Sequence, residues 1–308
     1  MRQRTRLPRR LGERFTVRAA TDSGVGRSRR DAPDLHRPFH GVRATQQPTT
    51  FREFVDCYRP RMKPDHQYGG RTAMRIWGIP HPELWKCDEP LDVIVPPDTA
   101  PPCIPGVKGR RLAAKRADAL IFDGVPVVDP VAALFTCAGE LTLDDAVVAI
   151  DALITTADDY PDLVRLSPLS TLTAITKRLE LWGRFPGCGV IRRALPLARE
   201  RVESPKETET RLLLRAAGLP EPVVQHEVRD HGHFVARVDL AYPESKIAIE
   251  YEGDGHRVDK KQWRIDIQRQ RDLEDHGWIV IRLTEADLAD GGATLLLRIR
   301  RALATRAR

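Results

Sequence analysis

Three carboxylates late in the chain have the type and spacing to hold a divalent cation. Asp239 lies in the run HFVARVDLAY (233–242), and Glu250 and Glu252 end SKIAIEYEG (245–253). In an extended strand residues i and i+2 share a face, so Glu250 and Glu252 point one way and Tyr251 the other. On the first run Ala236 and Val238 alternate with Arg237 and Asp239; on the second, Ile247 and Ile249 alternate with Ala248 and Glu250. Carboxylates gathered at strand ends beside Gly253 and Gly255 repel one another and are costly to desolvate. A divalent cation relieves both costs, and oxygen-only ligands suit Mg2+ or Mn2+. Such a cation polarises a phosphate and lowers the pKa of bound water.

Four further residues join the candidate set, each with a plainer reading beside it. Glu207 is either the third residue of a capping box begun by Ser204 or a supporting carboxylate of the metal site. His256, just past a Gly-Asp-Gly turn, orients water, acts as an acid or donates to a phosphate, or is an ordinary loop histidine. Asp266 and Arg269 lie three apart on one edge of the next helical run. They either close the site over a phosphate or form a surface ion pair. Arg282 faces the site or solvent.

The elements that must position these groups are readable. Ser204 and Pro205 are an N-cap and a first-turn proline, and Gly218 and Pro220 end that helix. Strands are expected at 223–228, 233–242 and 245–253, a long helix at 259–277, a strand at 278–284 and a last helix from 285 towards Arg301. The order α-β-β-β-α-β brings the final strand in after a helix, as a parallel neighbour. The expected class is α/β, with this core at 203–308.

The rest of the chain divides by composition. Residues 1–30 hold ten arginines and two acids, a local charge of +8 within a total of +7. Residues 1–35 therefore read as a disordered basic arm, with no specific role or with non-specific contact to a polyanion. Residues 36–155 read as a mixed α+β region and 156–202 as a helical connector. In the former, Thr72 is placed to cap a helix through Trp77, and Asp129-Pro130 to open another. Five widely spaced cysteines without a CxxC argue against a disulfide framework and a zinc knuckle. No apolar h-region follows the first arginines and no long apolar run occurs, so a cytoplasmic protein without membrane contact is expected.

The segments SPKETETRLLLRAAGLP (204–220), RVDLAYPESKIAIEYEGDGHR (237–257) and DIQRQRDLEDHGWIVIRLT (266–284) resemble the DUF559 family. That family is a branch of the PD-(D/E)XK nuclease-like superfamily close to very-short-patch-repair endonucleases. The resemblance spans about residues 203–290 and implies a restriction-endonuclease-like core. It implies that Asp239 and Glu250 bind metal, that Glu252 stands where the superfamily has lysine, and that Glu207, His256, Asp266 and Arg269 match the branch's polar positions. Lys260, Lys261, Arg269 or His256 would substitute for the lysine. Asp239 and Glu250 would hold Mg2+ or Mn2+ with Glu252 and the Tyr251 backbone carbonyl, for hydrolysis of DNA phosphodiesters. TAMRIWGIPHPE (72–83), LDVIVPP (91–97) and GVPVVDPVAALFTCAG (124–139) resemble the AbiEi-type antitoxin front end of long actinobacterial proteins, with degenerate winged-helix character. The alternative function is therefore a DNA-binding antitoxin or transcriptional regulator with a vestigial nuclease fold.

Overall fold

A computed structural model describes residues 6–158, 160–164, 168–253 and 260–307. The chain forms two compact units: Met1–Leu141 with Thr173–Val190, and Thr142–Leu172 with Ile191–Arg308. The class is mixed α/β.

In the first unit six strands form one sheet, ordered Cys103–Ile104, Val107–Arg111, Leu91–Val95, Gln67–Tyr68, Val125–Val128, Ala119–Phe122. Asp129 opens the helix Pro130–Cys137 as expected: its carboxylate accepts from Ala132 N at 3.0 Å, with proline in the first turn. Thr72 does not cap its helix, which begins at Gly70. Its hydroxyl instead accepts from Asp92 N at 2.8 Å, tying the helix to the neighbouring strand.

The expected disordered arm is corrected by the structure from residue 6 onward. Arg14–Thr16 pairs antiparallel with Val42–Ala44, and the short helices Val17–Asp22 and Arg27–Arg30 lie between them. Leu11, Phe15, Ala20, Val25 and Leu35 pack into a small core. Arg43 is buried, with Nε donating to Arg30 O at 2.7 Å and Nη2 to Asp31 at 2.8 Å. The arginines dominate the composition, yet most face water. The five apolar residues that decide the fold are too irregularly spaced to show a period.

In the second unit the Glu207 helix (Pro205–Ala216) precedes a first strand (Val223–Asp230), the Asp239 strand (His233–Tyr242) and the Glu250 strand (Ile247–Tyr251). The Arg269 helix (Lys260–Asp275), the Arg282 strand (Ile279–Leu283) and the helix Ala293–Arg306 follow. The sheet runs Arg282 strand, Glu250 strand, Asp239 strand, first strand. The first three strands in sequence are antiparallel neighbours, and the Arg282 strand joins parallel to the Glu250 strand. One core gathers Leu214, Leu240, Ile247, Ile249, Leu295 and Ile299. The other gathers Val228, Val238, Ala248, Leu273 and Trp278. Helices thus cover both faces of the sheet.

The connector does not stand alone. The helix Leu143–Ile154, from the expected 36–155 region, belongs to the second unit, whereas most of the connector's helix Leu172–Trp182 belongs to the first. Trp182 meets Phe135 edge-on at 5.2 Å, and Asp151 is locked to the Glu207 helix by the buried pair described below.

Candidate active site

Asp239 and Glu250 are brought together by antiparallel pairing. Leu240 stands opposite Ile249, and Tyr251 N donates to Asp239 Oδ2 at 2.8 Å. That bond fixes the Asp239 carboxylate beside the end of the Glu250 strand. On the other flank, Glu250 is in direct parallel register with Arg282. Arg282 Nη1 donates to Glu252 Oε1 at 2.6 Å and its Nε lies 4.0 Å from Glu250 Oε2. Arg282 therefore faces the site, and Glu250 and Glu252 share a side as their spacing requires. Tyr251 packs against the opposite core and its hydroxyl donates to Glu285 at 3.3 Å.

The Asp239 strand is not a regular ribbon. Val238 packs in one core and Leu240 in the other, so the alternation reverses at Asp239. The first strand reverses with it: its Gln225, between the partners of Val238 and Leu240, has φ +48°. A left-handed, non-glycine residue buried within a strand is strained and needs its surroundings to hold it. Gln225 is held through its side chain, whose Nε2 donates to Glu207 Oε2 at 2.9 Å.

Glu207 takes part in the helix cap, although its side chain reaches back to Glu203 N and not to the N-cap nitrogen of a capping box. Ser204 Oγ accepts from Glu207 N at 3.2 Å and donates to Glu207 Oε1 at 2.8 Å, while Glu203 N donates to Oε2 at 3.0 Å. The cap thus places a buried carboxyl next to Asp239. Burial, reinforced by the Asp239 charge, pushes Glu207 up to about 8. Burial also raises Asp239 to about 6, against the opposing bond from Tyr251 N. One proton on Glu207 lets the two carboxyls coexist without mutual repulsion.

Arg269 reaches the same centre. Its Nη2 lies 2.5 Å from Glu250 Oε1, and Glu250 is 4% exposed. Asp266 contributes its backbone carbonyl, which accepts from Arg282 Nη2 at 3.3 Å. Arg269 is thus held by Glu250. His256 lies outside the described residues, as does Asp259 at the expected start of the Arg269 helix. The side chains of Lys260 and Lys261, the other substitutes for the lysine, are likewise not described.

What anchors the Glu207 helix is barely legible from sequence. Asp151, on Leu143–Ile154, and Arg211 are fully buried and paired at 2.9 Å. Asp151 also accepts from Thr208 Oγ1 at 2.8 Å and from Arg199 N at 2.7 Å. Burial raises Asp151 to about 6, against the pull of Arg211. In isolation Asp151 reads as a polar break in an apolar helix, the only hint of a buried partner.

Among the described residues, the three donors whose ligand atoms lie within 4.8 Å of one another are His81, Cys137 and Glu140, in the first unit; Asp239, Glu250 and Glu252 do not all approach one another that closely. Glu140 is already held by Lys108 at 2.8 Å, Arg71 at 3.0 Å and Arg110 at 3.2 Å. Burial pushes the Cys137 thiol up to about 12. A cation there would meet three positive side chains and a thiol that resists ionisation.

Two uncharacterized proteins of Mycobacterium tuberculosis, from two strains, are each 34% identical to the chain over 117 residues. The match covers 38% of this chain and 43% of each relative, so the chain spans less than half the length of the curated relatives it matches. No family model and no solved structure matches the chain.

Proposed function

We propose that the second unit is a metal-dependent DNA endonuclease of restriction-endonuclease-like fold, as its resemblance to the DUF559 branch implies. The observation that carries the reading is the meeting of Asp239 with the buried Glu250 across two paired strands, with Glu207 beside them. Asp239, Glu250, Glu252 and the Tyr251 carbonyl offer oxygen donors alone, a set that fits Mg2+ or Mn2+. A cation held by these residues would activate water and polarise the scissile phosphate. Tyr251 N orients Asp239. Glu207 holds a proton at neutral pH next to Asp239, and can donate it to a leaving oxygen. Arg269 and Arg282 bring positive charge to the place where the superfamily has lysine, and Arg269 is positioned to meet a phosphate oxygen.

The test compares the full chain with Asp239→Ala on circular, linear, mismatched and single-stranded DNA in Mg2+ or Mn2+. Metal-dependent cutting lost in the variant is the expected result. Equal cutting by both proteins would overturn the assignment.

One observation favours a second reading, a DNA-binding regulator with a vestigial nuclease site. What supports it is the AbiEi-type resemblance of residues 72–83, 91–97 and 124–139, beside a folded N-terminal segment in which the helices Val17–Asp22 and Arg27–Arg30 lie between the paired strands Arg14–Thr16 and Val42–Ala44. Sequence-specific duplex binding without hydrolysis would establish that reading in place of the first.

A further inference from the structure

We infer that the chain pairs with a second copy of itself along the open edge of its six-stranded sheet, Ala119–Phe122 running antiparallel to the same strand. The sheet has two edges, Cys103–Ile104 and Ala119–Phe122. An edge presents unpaired N–H and C=O groups, and folded chains guard it with proline, charge or a bulge. Pro101, Pro102 and Pro105 flank the first edge. The second reads Ala-Leu-Ile-Phe, with neither proline nor charge, and its register with Val125–Val128 is regular. Ile121 is 78% exposed and Leu120 is exposed too. The exposed Leu181 stands one helical turn beyond Arg178, whose guanidinium reaches Asp118 just before the strand.

The hydrogen bonds show which groups are open. Asp129 N donates to Asp118 O at 3.1 Å, at the next rung beyond Ala119 opposite Val128. Bonded and non-bonded pairs alternate along an antiparallel ladder. Leu120 and Phe122 therefore bond inward to Val127 and Val125, while Ala119 and Ile121 turn their N–H and C=O out of the sheet. The Asp123-Gly124 turn, with φ +48° and +71°, closes the hairpin on the bonded Phe122–Val125 pair.

This pattern is self-complementary. Opposed residues in an antiparallel pair either both face each other with their polar groups or both turn them away. A twofold axis relating two copies of one strand must then pass through a residue, not between two. Through Leu120, each Ala119 faces Ile121 of the second copy, and each of these two pairs exchanges both its hydrogen bonds. Leu120 meets Leu120 at the close, non-bonded rung. Moving the axis to Ala119 calls on Ala117, whose N–H turns back to Ala114 O at 3.4 Å. Moving it to Ile121 calls on Asp123, which has left the strand and whose C=O accepts from Arg52 at 2.7 Å.

Charge and closure point to the same occupant. Lys115 and Arg116 precede the strand and Asp123 follows it. Antiparallel self-pairing sets these unlike ends side by side. Asp123 is held by Arg52 at 2.8 Å yet keeps 72% of its side chain exposed, and Asp118 is answered within the chain by Arg178 at 2.9 Å. Pairing about a twofold axis uses up the edge and stops at two copies, whereas a foreign strand would carry an open edge onward. A four-residue edge falls short of the roughly 1,200 Å² of a standard stable interface, so the dimer is reversible.

Sedimentation of the full chain between about 1 and 200 µM should show the mass rising from 34.7 kDa towards twice that value. Ile121→Pro removes one outward N–H where an edge strand tolerates proline, and Ile121→Lys adds the missing guard. Both should weaken association roughly tenfold or more. Leu84→Ser removes a highly exposed leucine outside the strand and should change nothing. The register is read with Cys87, Cys103 and Cys188 replaced by Ser, since these are not buried. Under diamide, Leu120→Cys should then form a covalent dimer, because the facing Cα atoms are about 4.5 Å apart. Ile121→Cys should not, its two copies being offset by two residues. An edge covered by another protein's strand would leave the pure chain monomeric at every concentration, which would overturn the inference. So would a dimer that survives both Ile121→Pro and Ile121→Lys, or cross-linking by Ile121→Cys in place of Leu120→Cys.

Discussion

Replacing Glu207 by Gln should flatten the dependence of stability on pH between about pH 6.5 and 8.5. Glu207 is 5% exposed, and its carboxyl is raised from 4.5 to about 8 by burial and by the Asp239 charge. Below its ordinary value both folded and unfolded chains hold the proton, and the contribution to stability is fully present. As pH rises above that value the unfolded chain releases its proton while the folded chain keeps it. The folded state then binds more protons, so stability falls with pH until the folded group ionises near 8. Integration over the chosen window gives a loss of about 2 kcal/mol. Asp239 and Asp151 titrate near 6, below that window. Glutamine preserves the size of the side chain and an oxygen to accept from Glu203 N, but carries no charge to desolvate. Urea denaturation in EDTA at several pH values would measure the effect. The expected result is a wild-type decline of that size, and a nearly flat profile for the variant. Parallel profiles for the two proteins would refute the placement of a buried, protonated Glu207 beside Asp239.

Two stability predictions follow from other buried groups. Arg211→Met leaves Asp151 without its cation in a fully buried position and should cost about 3–5 kcal/mol in urea denaturation; adding Asp151→Leu should recover much of that loss. Phe15 is 2% exposed in the small N-terminal core, so Phe15→Ala should cost that core about 3–5 kcal/mol. Limited proteolysis should then cut within residues 6–44 faster than in wild type.

The legible parts were those governed by local rules. Ser204, Pro205 and Gly218 announce the ends of the Glu207 helix because caps and left-handed ends demand particular residues, and Gly218 indeed has φ +75°. The spacing of Glu250 and Glu252 revealed a shared side because side chains along a strand alternate. What sequence could not give was set by contacts across the fold. Register alone turns Arg282 towards Glu250. The reversal at Gln225 and Asp239 involves two strands at once, so neither strand's pattern betrays it. Asp151 could not be assigned to the site's unit, because its partner Arg211 is remote in sequence and both lie within otherwise ordinary helices. The N-terminal segment reads as disordered for a related reason: its arginines outnumber the few apolar residues that hold it together.

The charge of the centre connects these features to function. Glu207 is protonated near neutral pH and therefore contributes little charge. Asp239, Glu250 and Glu252 remain, opposed by Arg269 and Arg282, which leaves the centre near −1. Adding a divalent cation would bring it near +1, the complement of one phosphodiester group. Without the two arginines the same cation would leave the centre slightly negative, and the phosphate would be repelled. With arginines but only one carboxylate, the cation itself would be repelled. On the nuclease reading, the arginine opposite Glu250 in the sheet and the proton on Glu207 are together what allows the acidic site to accept first a cation and then an anion.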